Sequence, residues 1–278
     1  MIRGGHIMEE SYDLSNFCIN CMQDKGPNII CPHCHFDEAN YQELPHHLPL
    51  RTILNGKYLI GKVLGEGGFG ITYKAWDLNL EIPLAIKEYY PCSFAARNTN
   101  NTGSIYPYSS NEDLFNQGKD KFIDEARRLA KFQNLHSIVS VKDYFIENNT
   151  AYIVMEYLDG ITLKQLLKQD GPLKIEACLD LLKNLILSLE TIHQSKIIHR
   201  DISPDNIIIQ NDGQIKLIDF GAARQIENNE QSKTINVKHG YAPIEQYLSH
   251  GNQGPWGDIY ALSATIYTCI TGTNPPHH

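Results

Sequence analysis

Two carboxylates and one amide lie close together in the second half of the chain, next to short apolar runs. Asp201 and Asn206 belong to IIHRDISPDNIII at 197–209, and Asp219 follows in LIDFGAAR. Carboxylate and amide oxygens are hard ligands of the kind that hold Mg²⁺ together with substrate phosphates. A separate carboxylate could orient a hydroxyl nucleophile and accept its proton. Taken alone, the first stretch could also be a polar turn between two strands.

Four of the seven cysteines form a second chemical group near the N-terminus: Cys18, Cys21, Cys31 and Cys34. Each CxxC turn directs two thiolates at one ion, and two such turns complete a tetrahedral sulfur site for Zn²⁺. The leader lacks the apolar core of a signal peptide, so a metal is favoured over disulfides. We therefore predict a structural zinc ribbon over 17–36. The alternative is four unrelated thiols.

A glycine-rich turn and a lysine come earlier in the chain than the acidic residues. LGEGGFGITY at 64–73 lies between two strand-like runs, which argues against a dinucleotide-binding βαβ unit. Its backbone N–H groups could instead surround phosphate oxygens. Lys87 stands in the apolar run LAIKEYY, where a buried ammonium group needs a partner, and Glu125 could supply one. Separately, these features could be a plain turn, an edge strand and a solvated helix face.

The elements predicted around these residues indicate an α+β protein with two unlike lobes, strands first and helices second. Strands are predicted within 58–76, 82–90, 139–147 and 150–158, and helices over 120–135, 173–194 and 258–273. Residues 91–117 are rich in Asn, Ser and Tyr, so we expect an inserted surface loop there. Two short strand-loop pieces carry the acidic residues.

Composition limits the class of protein. The 278 residues are 42% hydrophobic with a net charge of −8, which argues against nucleic acid as the main partner. The sequence contains no apolar run long enough to span a membrane, so a soluble cytoplasmic protein is expected. The predicted organisation is a flexible leader (1–16), the zinc ribbon (17–36), a linker (37–54) and one large domain (55–278).

GEGGFG, AIK, HRDISPDN and DFG occur in the order and rough spacing of the eukaryotic-like protein kinase family, which the chain resembles over 55–278. GYAPIEQY is similar to the bacterial serine/threonine kinases of that family. The resemblance implies a two-lobed fold with a β-rich N-lobe and an α-rich C-lobe. It also implies transfer of the γ-phosphoryl group of ATP to Ser or Thr hydroxyls of proteins, with autophosphorylation.

The resemblance assigns a role to each motif residue. Asp201 would be the catalytic base, Asn206 and Asp219 would hold Mg²⁺, and Lys87 would hold the ATP phosphates while paired to Glu125. The implied ATP-binding residues are Leu64, Gly65, Glu66, Gly67, Gly68, Phe69, Gly70, Ile71 and Thr72 of the glycine loop, Ala85 and Ile208 of the base pocket, Met155 as gatekeeper, and Glu156 and Leu158 in the hinge. Asp258 would support the catalytic loop, and Ser232 and Thr234 would be phosphosites.

Several positions depart from the family pattern. Ser203 stands where serine/threonine kinases carry a lysine, and Val237 and Lys238 replace the usual Gly-Thr pair. Glu245 lies in APIE instead of APE. The chain stops soon after the helix of Asp258, so we expect a C-lobe that is incomplete in this sequence. The alternatives are a pseudokinase or scaffold that docks partners through the zinc ribbon, and a small-molecule kinase of the same fold.

Overall fold

The computed structural model describes residues 13–98, 103–221, 224–225, 238–248 and 252–276. Their contacts divide the chain into two compact units. The first lies within Met1–Phe115 and Phe145–Tyr152, and the second within Asn116–Tyr144 and Ile153–His278. Among the described residues, no helix has both the length and the apolar character needed to cross a bilayer.

A six-stranded sheet has the strand order β1-β2-β3-β4-β8-β7, and its last two strands belong to the first unit over Phe145–Tyr152. These strands are β1 (Ile53–Leu54), β2 (Tyr58–Gly67), β3 (Gly70–Asp77), β4 (Ile82–Tyr89), β7 (Val141–Glu147) and β8 (Thr150–Glu156). β1 to β4 pair antiparallel with their neighbours. Since β-branched and aromatic residues suit a pleated surface, the runs of Ile, Val and Tyr predicted β2, β3, β4, β7 and β8 correctly. β1 was not predicted and lies at the end of the expected linker.

The expectation of a surface loop over 91–117 is wrong for two short segments. β5 (Ala95–Arg97) and β6 (Ile105–Pro107) form an antiparallel pair, and Ala95 and Ile105 are almost fully buried. The polar composition of this stretch concealed its few apolar positions. It also concealed Arg97, whose guanidinium is buried because a carboxylate of the neighbouring sheet neutralises it.

That carboxylate is Glu88, which is fully buried at the centre of a polar network. Arg97 pairs with Glu88 Oε2, which also accepts the Tyr73 hydroxyl at 3.1 Å, and Tyr152 donates to Glu88 Oε1 at 2.8 Å. Burial alone would lower the pKa of Arg97, but the Glu88 carboxylate raises it above its usual value. Tyr73 in turn accepts the backbone N–H of Leu48 at 3.0 Å. Both lone-pair regions of the buried carboxylate are therefore used, as a buried charge requires.

The cysteine-rich segment (residues 17–36) packs against the edge of this sheet. The Lys62 N–H donates to the Ile19 carbonyl at 2.9 Å. Arg51 donates to both carboxylate oxygens of Glu38 at 2.6 and 2.8 Å, and also to the Phe17 carbonyl at 2.9 Å. A Cβ atom on Gly61 would lie 2.2 Å from Met22 Cε and 2.5 Å from the Ile19 carbonyl oxygen. The contact therefore requires glycine at position 61.

The second unit is built mainly from helices. They are α1 (Glu112–Leu129, in this unit from Asn116), α2 (Leu163–Asp170), α3 (Ile175–Gln194) and α4 (Pro255–Thr271). α1 begins earlier than predicted, because Glu112 and Asp113 stabilise a helix N-terminus. α2 was not predicted, although Thr162 and Gln165 form a capping box that the sequence shows.

Short strands complete the second unit. β9 (Gly160–Thr162), β11 (Ile207–Gln210) and β12 (Ile215–Leu217) form one sheet, and β10 (Ile197–Ile198) pairs with β13 (Arg224–Gln225). The apolar face of α3 is buried through Leu182, Leu185, Leu189 and Ile192, at helical spacing. The prediction of a β-rich part followed by a helical part is confirmed.

We predict that Gly61→Ala detaches the cysteine-rich segment from the sheet. The added methyl group overlaps a backbone oxygen that cannot rotate away, so the free energy of unfolding should fall by roughly 1–3 kcal/mol. Urea unfolding measures this change. Gly68→Ala is the matched control, because a Cβ there would meet nothing within 4 Å. Equal stability of the two variants would show that the segment does not depend on this contact.

Candidate active site

The catalytic loop (residues 199–206) connects β10 to β11, and its two main candidate groups are in direct contact. Asn206 Nδ2 donates to the backbone oxygen of Asp201 at 2.8 Å and to Asp201 Oδ2 at 2.8 Å. The Asn206 carbonyl accepts the N–H of Ile218 at 2.9 Å, one residue before Asp219. The loop therefore closes on itself and is tied to the chain that carries the third candidate group.

A buried carboxylate on α4 holds the start of this loop. Asp258 is 1% exposed, and its two oxygens accept the backbone N–H groups of His199 at 2.8 Å and Arg200 at 2.7 Å. His193 Nε2 lies 2.7 Å from Asp258 Oδ2. This is the supporting contact expected for Asp258 from the sequence. Because hydrogen bonds to a charged acceptor are strong, the backbone ahead of Asp201 has one well-defined path.

Two residues of the site have left-handed backbone conformations. Arg200 has a φ of 72° and Asp219 a φ of 64°, in a region that residues other than glycine occupy infrequently. Such conformations persist only where surrounding contacts impose them, and they are concentrated at functional sites. The Asp258 contact imposes the first, and the Asp219 side chain accepts the N–H of Gly221 at 3.2 Å next to the second.

The environment of Asp201 favours a proton-accepting role. Burial raises the pKa of Asp201 above the ordinary aspartate value, and the Asp219 carboxylate adds to this effect. Lys238 and the hydrogen bond from Asn206 act in the opposite direction. A carboxylate whose pKa is raised holds a proton more strongly than a fully solvated one, which suits a general base.

The buried ring of His199 contacts the backbone of Asp201. Complete burial lowers the pKa of His199, so its ring is neutral, and Nδ1 accepts the Asp201 N–H at 3.2 Å. The ring meets Phe220 edge to face, with centroids 4.4 Å apart. The two motifs of the site, HRD and DFG, are therefore packed against each other through His199 and Phe220.

Lys238 is a charged residue of this site that the motif assignment did not use. Its Nζ donates to Ser203 Oγ at 2.9 Å and forms an ion pair with Asp205 Oδ2. Burial alone would raise the pKa of Asp205, but the hydrogen bonds from Lys238 and Lys164 hold it below its usual value. The sequence signal for this contact is a pair of departures from the family pattern, at 203 and at 237–238.

The glycine-rich hairpin and Lys87 lie together in the first unit. Gly67 pairs with Gly70 at the tip of β2 and β3, and Thr72 pairs with Lys87 on β4. A Cβ on Gly70 would lie 2.7 Å from the Glu88 carbonyl oxygen and 3.8 Å from Lys87 Cε. Gly70 therefore has no space for a side chain, and the Lys87 side chain lies next to the tip of the hairpin.

Two adjacent histidines contact the glycine-rich hairpin from a segment predicted to be a linker. His46 Nε2 and His47 Nε2 lie 3.0 and 2.9 Å from Glu66 Oε2, and these contacts lower the pKa of Glu66. Arg97 fixes the His46 carbonyl with a hydrogen bond of 2.8 Å. Sequence reasoning did not identify this pair, because two histidines beside prolines show no periodic pattern.

The remaining residues expected to bind a ligand lie on or next to the strands and the helix defined above. Ala85 lies on β4, Met155 and Glu156 end β8, Leu158 follows that strand, Ile208 lies on β11, and Glu125 lies on α1. Ala85 and Leu158 are 8% and 9% exposed. The Glu156 carboxylate binds Lys216 Nζ at 2.6 Å and the Ser140 N–H at 2.7 Å, and the Glu156 N–H donates to the Ser140 carbonyl at 3.0 Å. Ser232 and Thr234 lie outside the described residues.

The four cysteines predicted to bind metal converge on one point. Cys18 Sγ lies 3.6 Å from Cys34 Sγ, and Cys21 Sγ lies 3.6 Å from Cys31 Sγ. All four sulfur atoms lie within 4.8 Å of one another. Burial raises the pKa of the Cys21 thiol, so a nearby cation is needed for all four to be thiolates.

Comparison with known proteins agrees with this geometry. The chain matches the protein kinase domain over residues 58–278 and therefore belongs to the protein kinase family. A solved structure titled "PpkA-294 apo form" shares 42% sequence identity with a TM-score of 0.71, and the match covers 84% of this chain and 81% of that chain. The predicted two-lobed kinase fold class is thus confirmed.

Named relatives of the chain include bacterial serine/threonine kinases. The chain is 32% identical over 237 residues to serine/threonine-protein kinase PknA of Nostoc sp., covering 81% of this chain and 39% of PknA. It is 30% identical over 223 residues to PrkC of Bacillus subtilis, covering 80% of this chain and 31% of PrkC. The chain thus spans between about a third and a half of the length of the relatives it matches.

We predict that Asp258→Ala destabilises the catalytic loop. The change leaves the backbone N–H groups of His199 and Arg200 without their acceptor. The free energy of unfolding should therefore fall by about 1–3 kcal/mol for each unpaired group. Thermal or urea unfolding measures the loss. Asp212→Ala removes a carboxylate from an exposed turn and serves as the matched control, with a change within about 0.5 kcal/mol. Similar unfolding curves for the two variants would contradict the supporting role of Asp258.

Proposed function

We propose that the protein transfers the γ-phosphoryl group of ATP to Ser or Thr hydroxyls of protein substrates, including its own chain. The observation that carries this proposal is the contact of Asp201 with Asn206 in a loop held by Asp258. A base fixed in this way can accept the hydroxyl proton as the oxygen attacks phosphorus. Membership of the family and the names of the bacterial relatives support the same reaction.

Mg²⁺ fits the oxygen donors of the second unit. Asn206 contacts Asp201 through its amide nitrogen, which leaves the amide oxygen as a hard ligand, and Asp219 adds a carboxylate. When bound, Mg²⁺ neutralises phosphate charge. Asn206 and Asp219 would hold it while Asp201 holds the substrate hydroxyl.

The ATP itself would be held mainly through backbone groups and one lysine. Residues 64–72 would place N–H groups around the phosphates, and Lys87 would contact the α- and β-phosphates with Glu125 as its ion-pair partner. Ala85, Met155 and Ile208 would line the adenine site, and the backbone of 156–158 would bind the base. Membership of the family supports these roles, and the hairpin geometry of β2 and β3 supports the role of residues 64–72.

We further propose that Cys18, Cys21, Cys31 and Cys34 hold one structural Zn²⁺. Sulfur ligands at about 2.3 Å from a tetrahedral ion lie roughly 3.8 Å apart, close to the 3.6 Å separations seen here. The segment would then be a rigid module suited to docking a protein partner. Reduced cysteines and the use of ATP both fit a protein that works in the cytoplasm.

We predict that Asp201→Asn lowers autophosphorylation by roughly 10²- to 10⁴-fold, because the amide cannot accept the hydroxyl proton. Labelling with Mg-ATP measures the rate, and binding of a fluorescent ATP analogue shows that the nucleotide site survives. Asp212→Asn, on an exposed turn, is the control and should label at the normal rate. Unchanged labelling of Asp201→Asn would remove Asp201 as the base. Absence of labelling in the unaltered protein would favour a scaffold role.

We predict about one zinc per chain after purification without chelators, as a four-cysteine site implies. The double change Cys18→Ser and Cys31→Ser should abolish zinc binding, because it removes one ligand from each CxxC turn. Cys92→Ser changes an exposed cysteine outside the cluster and is the control. Elemental analysis measures the metal. Full zinc content in the double variant would exclude these four sulfurs as the ligands.

A further inference from the structure

The ammonium group of Lys238 lies inside the catalytic loop although the residue is distant from it in sequence. Lys238 Nζ donates to Ser203 Oγ at 2.9 Å and pairs with Asp205 Oδ2. Ser203 is fully buried, whereas the Lys238 side chain is 33% exposed. The cation is therefore anchored to a buried hydroxyl group while its side chain remains partly exposed.

The charge of the loop shows why a cation is needed there. Asp201, Asp205 and Asp219 place three carboxylates in or beside the loop, and the reaction would bring in further negative charge on the phosphates. In the transition state, charge is spread over the oxygens of the transferred group and must be neutralised at fixed positions. Position 203, which follows the base by two residues, carries an uncharged hydroxyl. Lys238 supplies a positive charge at that same hydroxyl.

A second lysine provides an internal comparison. Lys164 also pairs with Asp205, at 2.9 Å from Oδ1, but its side chain is 67% exposed. Lys238 differs in its bond to Ser203 and in its electrostatic effect on Asp201. Of these two lysines, Lys238 is thus the one placed to act on the reacting groups. Lys164 mainly neutralises the outer side of the same carboxylate.

We propose that Lys238 is the catalytic cation of the phosphoryl transfer, held by Ser203 and Asp205 and directed at the γ-phosphoryl oxygens. The inference rests on the proposed kinase function and adds a residue to it. The bond between the γ-phosphorus and the oxygen that bridges it to the β-phosphate breaks, which releases ADP. A bond from the γ-phosphorus to the substrate hydroxyl oxygen forms, and the hydroxyl proton passes to Asp201. Lys238 forms no covalent bond and stabilises the negative charge during transfer.

The position of Lys238 in the chain adds a consequence for control. It stands in the segment between DFG and APIE, a few residues before Pro243 and Glu245. The cation is in place only while Lys238 keeps its contacts with Ser203 and Asp205. Catalytic rate would therefore depend on the contact between Lys238 and Ser203 in addition to the loop itself.

The test is steady-state kinetics of the full chain with Mg-ATP and a generic protein substrate. Lys238→Met keeps the length of the side chain and removes its charge, so kcat should fall by about 10²-fold, the usual effect of losing one charge-stabilising donor. The KM for ATP should change less than about threefold, because nucleotide binding uses other groups. Lys164→Met is the matched control, with kcat expected within about twofold of normal, since exposed pairs contribute little.

A charge-exchange variant separates a catalytic charge from a purely structural link. Lys238→Ser alone should be as slow as Lys238→Met. Adding Ser203→Lys returns an ammonium group to the loop, now carried by position 203. The kcat of this double variant should be at least tenfold higher than that of Lys238→Ser, a substantial part of the usual effect of one such donor. A role limited to joining the two segments would instead raise the KM for the protein substrate with little change in kcat. The exchange variant also gives a result if the single variants fold poorly.

The outcomes distinguish this inference from the function on which it rests. If Asp201→Asn abolishes transfer while Lys238→Met keeps normal kcat, the protein is a kinase and Lys238 is not its cation. If the exchange variant stays as slow as Lys238→Ser while folded and binding ATP, the inference is also overturned. If the unaltered protein transfers no phosphate, the proposed function fails first.

Discussion

The carboxylate of Asp258 accepts two consecutive backbone N–H groups, those of His199 and Arg200, in a place that water does not reach. A buried carboxylate needs such partners, and buried N–H groups need an acceptor, so each stabilises the other. The contact joins α4 to the catalytic loop. It also stabilises the left-handed backbone conformation of Arg200, and this conformation sets the direction of the Asp201 side chain.

The first unit also contains a buried carboxylate whose oxygens are satisfied by hydrogen-bond partners. Glu88 is buried on β4 and joins Arg97, Tyr73 and Tyr152, which come from three other strands. Through Tyr73 the network reaches the backbone of Leu48, next to the histidines that contact the glycine-rich hairpin. A chain of hydrogen bonds therefore connects the core of the sheet to the segment that precedes it. The cysteine-rich segment is attached to the same unit through Arg51 and Gly61.

Two positions of the candidate active site depart from the family pattern, and the contact between them accounts for both departures. Ser203 lacks the cation that its position usually carries in this family, and Lys238 stands where a small polar residue is usual. In the structure these two side chains are hydrogen-bonded, and Asp205 balances the lysine. The total charge of the loop is preserved while the residue that supplies it changes. A motif search that treats each position separately sees two defects here.

The sequence predicted the main strands, the main helices and the cysteine cluster from periodicity and local spacing, which depend on neighbours along the chain, and its motifs indicated the family with its class of fold. It failed at β5 and β6, at α2 and at the roles of Arg97, His46, His47 and Lys238. The roles of the four charged or titratable residues depend on the fold, because each has its partner on another element: Glu88 for Arg97, Glu66 for the histidines and Ser203 for Lys238. The helix α2 was missed for a different reason, since its capping box is local and visible in the sequence. A charged side chain shows its type in the sequence, but its role depends on which opposite charge or hydrogen-bond partner the fold places within about 3 Å.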